Sequence, residues 1–410
     1  MTNSSWQDEL DLAVDRRHQQ MVAVRRHLHA HPEPSHEEHE TSLYLYRLLT
    51  EEGVEVQMGP EGRGVVADDS PARDCSLRRI AIRADIDALR IHDQKQVEYR
   101  SQREGVMHAC GHDAHSATVL GAILALGDMA RDGRLPWPVC WRGIFQPAEE
   151  TSAGACEMIE SGVLEGVDAI LATHVDPSRH VGRIGLRTGV LTANCDEIRL
   201  TIIGQGGHAA RPHESHDPIA AAAQLISSMY LFVPRATDSL DAVVVTVGQI
   251  ITGQNPNVIP ERVELRGTVR TLDATVRKNT LDHLAQLARG IAVTSSTRID
   301  LEFGRGAQSV RNDAQLVRLL RQAGEEVLGQ DRIEEIPRPS MGSEDFAFYL
   351  DHVPGAMFRL GCASQQVGSS PLHSPTFDVD ERALAAGAKI LARAAVSWSR
   401  PRNPPPREAP

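Results

Sequence analysis

RIAIRADID, Arg79–Asp87, reads as an apolar strand over Arg79–Arg83 that delivers Asp85 and Asp87 just past its end. Open α/β sheets place ligand-binding and catalytic groups at such strand ends. Further along, MHACGHDAH (Met107–His115) packs a thiol, three imidazoles and a carboxylate into one short run. Cys110 and His112, separated only by Gly111, cannot share a helix face, where neighbours are three or four residues apart. They suit a turn feeding the helix that Ala114–Met129 predicts, with Asp113 as its N-cap. A thiolate is electrostatically favoured at such a helix N-terminus. VCWRGIFQ (139–146) follows as a buried strand ending in Pro147-Ala148-Glu149-Glu150. A helix near Ala155–Ser161 leads to another apolar strand, VDAILATH (167–174), ending on His174. Upstream, helices are expected over 6–29 and from about Glu38 to Glu52, separated by HPEPSH, with a short strand at Gly64–Ala67. The histidines between His18 and His39 are read as decorating solvated faces. Strands and helices alternating in this way make a layered α/β domain.

Between Thr192 and Gly304 the pattern changes. EIRLTIIGQ (197–205), AVVVTVGQI (242–250), ERVELRGTVRT (261–271) and TRIDLEF (297–303) read as strands. DPIAAAAQLISSMYLFV (217–233) and DATVRKNTLDHLAQLARGIA (273–292) read as helices. The order β-α-β-β-α-β is that of a ferredoxin-like α+β unit. The α/β pattern then resumes with helices at Asp313–Leu328 and near Ser343–Leu350, a strand at Ala356–Leu360 and a closing helix from about Asp380 to Ser397. The expected organisation is an α/β domain built from 1–191 and 306–398, interrupted by an inserted domain at 192–305. The tail 399–410 has too much proline and too little apolar content to fold.

The chain of 410 residues carries 55 acidic against 43 basic residues, a formal charge of −12, and no dense basic stripe, which argues against nucleic acid as a partner. The polar N-terminus lacks the apolar region of a secretory signal, and no apolar run approaches membrane-spanning length. Six scattered cysteines fit free thiols in a reducing compartment. A cytoplasmic enzyme, or a binding protein for something small, is the expectation.

The residues that can carry chemistry fall at strand ends and turns: Asp85, Asp87, Cys110, His112, Glu149, Glu150, His174, and His373 in PLHSPTF. Thiolate and imidazole together are ligands for zinc and related metals. An inert cysteine beside solvated histidines is the alternative for the nonamer, a satisfied core histidine for His174, and a solvated pair for the glutamates. Adjacent glutamates in regular strand geometry cannot both point at one spot.

These stretches, with RRHLHAHPEPSHEE (25–38), RADIDAL (83–89), QPAEE (146–150), THVDP (173–177), GQGGHAARPHESHDPI (204–219), NPNVIP (255–260), GTVRT (267–271), GSEDFAFY (342–349) and LHSP (372–375), run in one order over nearly the whole chain. In that order the chain resembles the M20 family of metallopeptidases, in its amidohydrolase branch of hippurate hydrolases, auxin-conjugate hydrolases and N-acyl amino acid deacylases. The resemblance implies a metal-binding catalytic domain with an inserted lid, through which many members dimerise. It implies Cys110, His112, Glu150, His174 and His373 as metal ligands, too many for one tetrahedral zinc but suited to a two-metal site. The ions expected are zinc or manganese, with cobalt or nickel as further candidates. By the same resemblance Glu149 is the general base and Asp87 orients a ligand. His208 in the lid is a donor to the developing oxyanion, acting in its own chain or its partner's. Asn257 and Arg270 bind the substrate's acyl group and carboxylate, to which the planar guanidinium is matched. The role of Asp85 stays open. Arg90 where relatives have proline, and the 229–235 segment, depart from the family pattern and leave selectivity open. Hydrolysis of a small N-acyl amino acid is the main expectation. An aminohydrolase of a small aromatic or heterocyclic amine and a non-catalytic metal-binding protein are the rivals.

Overall fold

The computed structural model describes residues 5–69, 77–304 and 306–401; Cys75 and the tail from 402 onward lie outside them. The chain divides into two compact units. The first takes the chain up to Gly189, Arg311–Pro337 and the part from Asp345 on; the second takes Val190–Val310 and Arg338–Glu344. This second unit is wider than the 192–305 insert expected from sequence. The amide of Ser340 donates to the Leu191 carbonyl at 2.9 Å and that of Ala193 to the Gly342 carbonyl at 3.0 Å, which ties the returning segment 338–344 to the unit. The helix expected near Ser343–Leu350 is accordingly only the short Ala347–Leu350.

The first unit is built on an eight-stranded mixed sheet. Its order is Glu55–Met58, Val65–Asp68, Cys140–Gln146, Arg79–Asp85, Val167–His180, Gly355–Ala363, Ile184–Leu186, Ile333–Glu335. The four strands from Cys140–Gln146 to Gly355–Ala363 run parallel. Parallel strands covered on both faces read as continuous apolar runs, as CWRGIFQ does, buried at every position. The strand expected to end on His174 continues to His180. Register, not the strand end, therefore sets the level of this histidine: Arg83 pairs with Ala172, which brings His174 level with Asp85.

The helix His112–Arg131 packs against the terminal helices Trp6–Ala30 and Arg382–Trp398. Leu120, Ile123 and Leu124 are fully buried along it, each worth roughly 1.5–3 kcal/mol of transfer free energy. One histidine of the helix Trp6–Ala30 departs from the solvated reading. His29 is fully buried, with Nδ1 2.7 Å from Asp113 and Nε2 2.9 Å from Lys95 Nζ. Beside it Arg25, also fully buried, donates to Asp113 at 2.9 Å and to Asp378, and lies 3.4 Å from Glu381. Asp113 is thus an ion-pair partner inside the helix, and the N-cap position belongs to Gly111.

The second unit has a four-stranded antiparallel sheet in the order Val243–Ile251, Arg262–Thr271, Asn194–Ile203, Arg298–Phe303, with the helices Pro218–Ala236 and Ala274–Ser295. In chain order this is β-α-β-β-α-β with the ferredoxin-like strand arrangement. Asp217 and Asp273 cap the two helices through their carboxylates, each accepting from the amides two and three residues on. Ala221, Leu225, Met229 and Val233 on one helix meet Ile198, Leu200, Val263, Leu265 and Val269 of the sheet in a core of their own. By length and composition alone Pro218–Ala236 is apolar enough to cross a membrane, which corrects the expectation that no apolar run approaches that length. Its other face leaves Tyr230, Leu231 and Phe232 exposed.

Candidate metal centre

Gly111 makes the nonamer possible. Its φ of +87° lies in the left-handed region, and a side chain there would run into Val175 Cγ2. The turn lets Cys110 and His112 face one point from two sides of the helix start. Five of the sequence candidates converge in two donor groups that share the thiol: Cys110, His112 and His174, all buried, and Cys110, Glu150 and His373. In each group the donor atoms lie within 4.8 Å of one another.

The imidazoles are set for ligation by their other nitrogens. His174 Nδ1 donates to the Val175 carbonyl at 2.7 Å, which leaves the Nε2 lone pair 3.4 Å from Cys110 Sγ. His112 Nδ1 sits 3.0 Å from Asp87 Oδ1, and its buried Nε2 has no hydrogen-bond partner among the described residues. Burial would strip a proton from His112, but the Asp85 and Asp87 carboxylates outweigh it and hold the imidazole pKa well above its ordinary value. Cys110 corrects the thiolate expectation. Burial, and after it the Glu150 charge, pushes its thiol up to about 12, so the helix N-terminus does not win; a bound cation would reverse that. An orphaned imidazole nitrogen, a buried thiol and a carboxylate at one point fit a divalent transition metal.

The glutamate pair escapes the strand argument because the strand stops at Gln146. Ala148 takes a φ of +51°, turning the chain so that Glu149 Oε2 and Glu150 Oε1 each lie 3.9 Å from His112 Nε2. The Ala148 amide donates to the buried Glu38 at 2.7 Å, and that of Glu150 to Asp87 Oδ2 at 3.1 Å. Asp87 thereby touches both His112 and the Glu150 backbone, with Ser35 Oγ donating to it at 2.7 Å. His373 hangs from a loop at φ +61°, its Nε2 3.4 Å from Glu150 Oε1, and that carboxylate raises its pKa.

Asp85 receives its role from the structure. Its Oδ2 accepts from Arg83 Nη1 at 2.7 Å and its Oδ1 lies 2.6 Å from His115 Nδ1. His115 Nε2 accepts from the Val175 amide at 2.9 Å, so both ring nitrogens are committed and His115 supports the site rather than ligating. Burial would raise the Asp85 carboxyl; His112, His115 and Arg83 outweigh it and hold it well below the usual range. His115, Arg83, Gln146 and Asp345 were missed as site residues. The available signal was Arg83, an arginine inside a strand buried on both faces, which must find carboxylates there.

Within the second unit, His208 and Asn257 are brought together. The short strands Gly207–His208 and Val258–Ile259 pair, and the Ala209 amide donates to the Asn257 carbonyl at 3.1 Å. His208 is exposed, and its Nδ1 accepts from the Ala210 amide at 3.1 Å, so Nε2 carries the proton and is free to donate. Arg270 lies apart from them on Arg262–Thr271. It is half-buried and opposite in facing to the buried Val263, Leu265 and Val269, with Nη1 donating to the Met341 carbonyl at 2.8 Å.

The model of peptidase family M20/M25/M40 matches residues 81–397. The chain belongs to this family. Among similar M20 proteins, "Probable hydrolase sll0100" of Synechocystis is 42% identical over 92% of this chain and 94% of its own. The N-acetyl-L-cysteine deacetylase of Bacillus subtilis is 38% identical over 91% of this chain and 86% of its own. The solved YxeP protein of Bacillus subtilis, described as a dinuclear metal binding peptidase from the M20 family, superposes with a TM-score of 0.78 at 34% identity, covering 94% of this chain and 99% of that one. This M20 chain is a metal-dependent amidohydrolase.

Proposed function

We propose that this M20 enzyme hydrolyses the amide bond of a small N-acyl amino acid at a two-cation site. The observation that carries it is the pair of donor groups hinged on Cys110, with Glu149 beside both. Cys110, His112 and His174 would hold one cation and Cys110, Glu150 and His373 the other. When bound, the cations supply Lewis acidity to the amide carbonyl and to the attacking water. Glu149 takes a proton from that water as its oxygen bonds the carbonyl carbon, then gives the proton to the leaving nitrogen as the C–N bond breaks. Asp87 keeps the His112 ring and the Glu150 backbone in place throughout. His208, by resemblance to the family, donates from Nε2 to the developing oxyanion, while Arg270 and Asn257 bind the carboxylate and acyl group. The relatives named N-acetylcysteine deacetylases support an acyl amino acid as substrate class.

A panel of N-acetyl, N-benzoyl and longer N-acyl amino acids, beside the same compounds as carboxamides, tests this. Free amino acid and carboxylic acid should appear in equal amounts, chelation should stop the reaction, and zinc, manganese, cobalt or nickel should restore it. Ammonia released from an aromatic or heterocyclic amine, with no carboxylic acid, would instead identify an aminohydrolase.

The protein is further proposed to be a homodimer through its second unit. Val243–Ile251 is a sheet edge, and it exposes Val244, Ile250 and Ile251, as the neighbouring helix exposes Leu231 and Phe232. An open apolar edge of this kind pairs readily with its own copy. Light scattering should give twice 44.8 kDa, and Leu231→Glu with Ile250→Glu should halve it. A wild-type monomer would refute the proposal.

A further inference from the structure

The turn that carries Glu149 starts at Gln146 and ends at Ala155, and both of its ends meet one carboxylate. Asp345 is fully buried. Its Oδ2 accepts from Gln146 Nε2 at 2.7 Å, on the strand side of the turn, and from the Ala155 amide at 3.0 Å, on the side where the helix Gly154–Glu160 begins. Its Oδ1 accepts from Arg83 Nη2 at 2.7 Å and from Gln146 Nε2 at 2.9 Å. Arg83 reaches on from there to Gln146 Oε1 at 2.8 Å and to Asp85 at 2.7 Å. The backbone of the same residue closes the circuit, since the Asp345 amide points at Glu149 Oε1 from 3.4 Å. Glu150 is tied elsewhere, by its amide to Asp87. The two neighbouring glutamates are thus tied to different aspartates, Glu149 to the Asp345 amide and Glu150 to the Asp87 carboxylate.

We infer that Asp345 is the positioning residue of Glu149: its side chain clamps the two ends of the Pro147–Ala153 turn, and its amide orients one glutamate oxygen so that the other faces the water. This rests on Glu149 being the base. The physical requirement is that a proton acceptor within hydrogen-bond reach of its water be held in one geometry, because misplacement costs rate without costing binding. Clamping by a carboxylate that accepts from three donors does this, and the buried Arg83 supplies the charge that lets the carboxylate stay in the interior.

Asp345→Asn keeps the shape but turns one acceptor into a donor facing Arg83 or Gln146. The expected result is a kcat lower by about 10–100-fold, the usual scale for partners that orient a catalytic group, with KM and bound metal as in wild type. In the Glu149→Gln background the same change should cost nothing more, because the group it positions is already gone. In metal-free protein, hydrogen exchange of residues 147–155 should quicken relative to wild type. Wild-type kcat, loss of metal, an undiminished further loss in the Glu149→Gln background, or unchanged exchange would each overturn the inference. If Asp345→Asn does not fold, Gln146→Met takes its place, since it leaves the Arg83–Asp345 pair and removes the strand-side donor, along with the oxygen that accepts from Arg83 Nε; the same pattern is expected, and wild-type kcat there overturns the inference as well. Should Glu149→Gln itself keep full kcat, the base assignment fails; should only Asp345→Asn keep it, the clamp alone fails.

Discussion

Glu149→Gln should lower kcat by two to four orders of magnitude, roughly what a general base contributes, and leave the metal content unchanged. The amide keeps the shape of the carboxylate and can still accept from the Asp345 amide, but cannot take a proton from water. Glu150→Gln should do the opposite, shedding metal first, because Glu150 belongs to a donor group with Cys110 and His373. Elemental analysis beside steady-state kinetics separates the two. Metal lost from the Glu149 variant and kept by the Glu150 variant would show the roles exchanged. The two carboxylates lie at equal distance from His112 Nε2, so their difference rests on which cation group each faces and on what holds each backbone.

Arg25→Leu should destabilise the first unit by about 3–5 kcal/mol, the usual consequence of removing one partner from a buried ion pair. It strands Asp113 and Asp378 in the interior, while the exposed Arg131, paired with Asp128 on the surface, should cost under about 1 kcal/mol when replaced by alanine. All four tryptophans, Trp6, Trp137, Trp141 and Trp398, lie in the first unit, so their fluorescence during denaturant unfolding of metal-free protein reports on it. The pH dependence has a definite sign. Burial would raise the Asp378 carboxyl, but Arg25 and Tyr99 outweigh it and lower its pKa in the folded state. Its contribution is present above the unfolded carboxylate pKa near 4 and is lost as pH falls through the folded value. The gap between wild type and Arg25→Leu should therefore be widest near neutrality and narrow toward acid. A gap that is small at pH 7, or that widens on acidification, would show that the pair is not what Arg25 contributes.

Periodicity and spacing determined a good deal by themselves. Apolar runs such as RIAIR and CWRGIFQ specify buried parallel strands because only a sheet covered on both faces hides every position. The alternation of ERVELRGTVRT specifies a half-buried strand with Arg270 on the face away from the core. Cys110, Gly111 and His112 announce a turn, since that spacing has no place on a helix face. What such patterns cannot carry is register and pairing between distant segments. His174 stands beside Cys110 because Arg83 pairs with Ala172, not because a strand ends there. Glu149 and Glu150 share a target because Ala148 adopts a left-handed conformation held by Glu38, which lies far away in sequence. Asp113 reads locally as a helix cap, yet Arg25 and His29 claim it as an ion-pair partner. Local pattern expresses what a residue needs from its immediate neighbours, and that fixed the elements and most donors. Which buried charge finds which partner is decided only when the strands are in register and water has been excluded, because only there does a missing partner cost several kcal/mol.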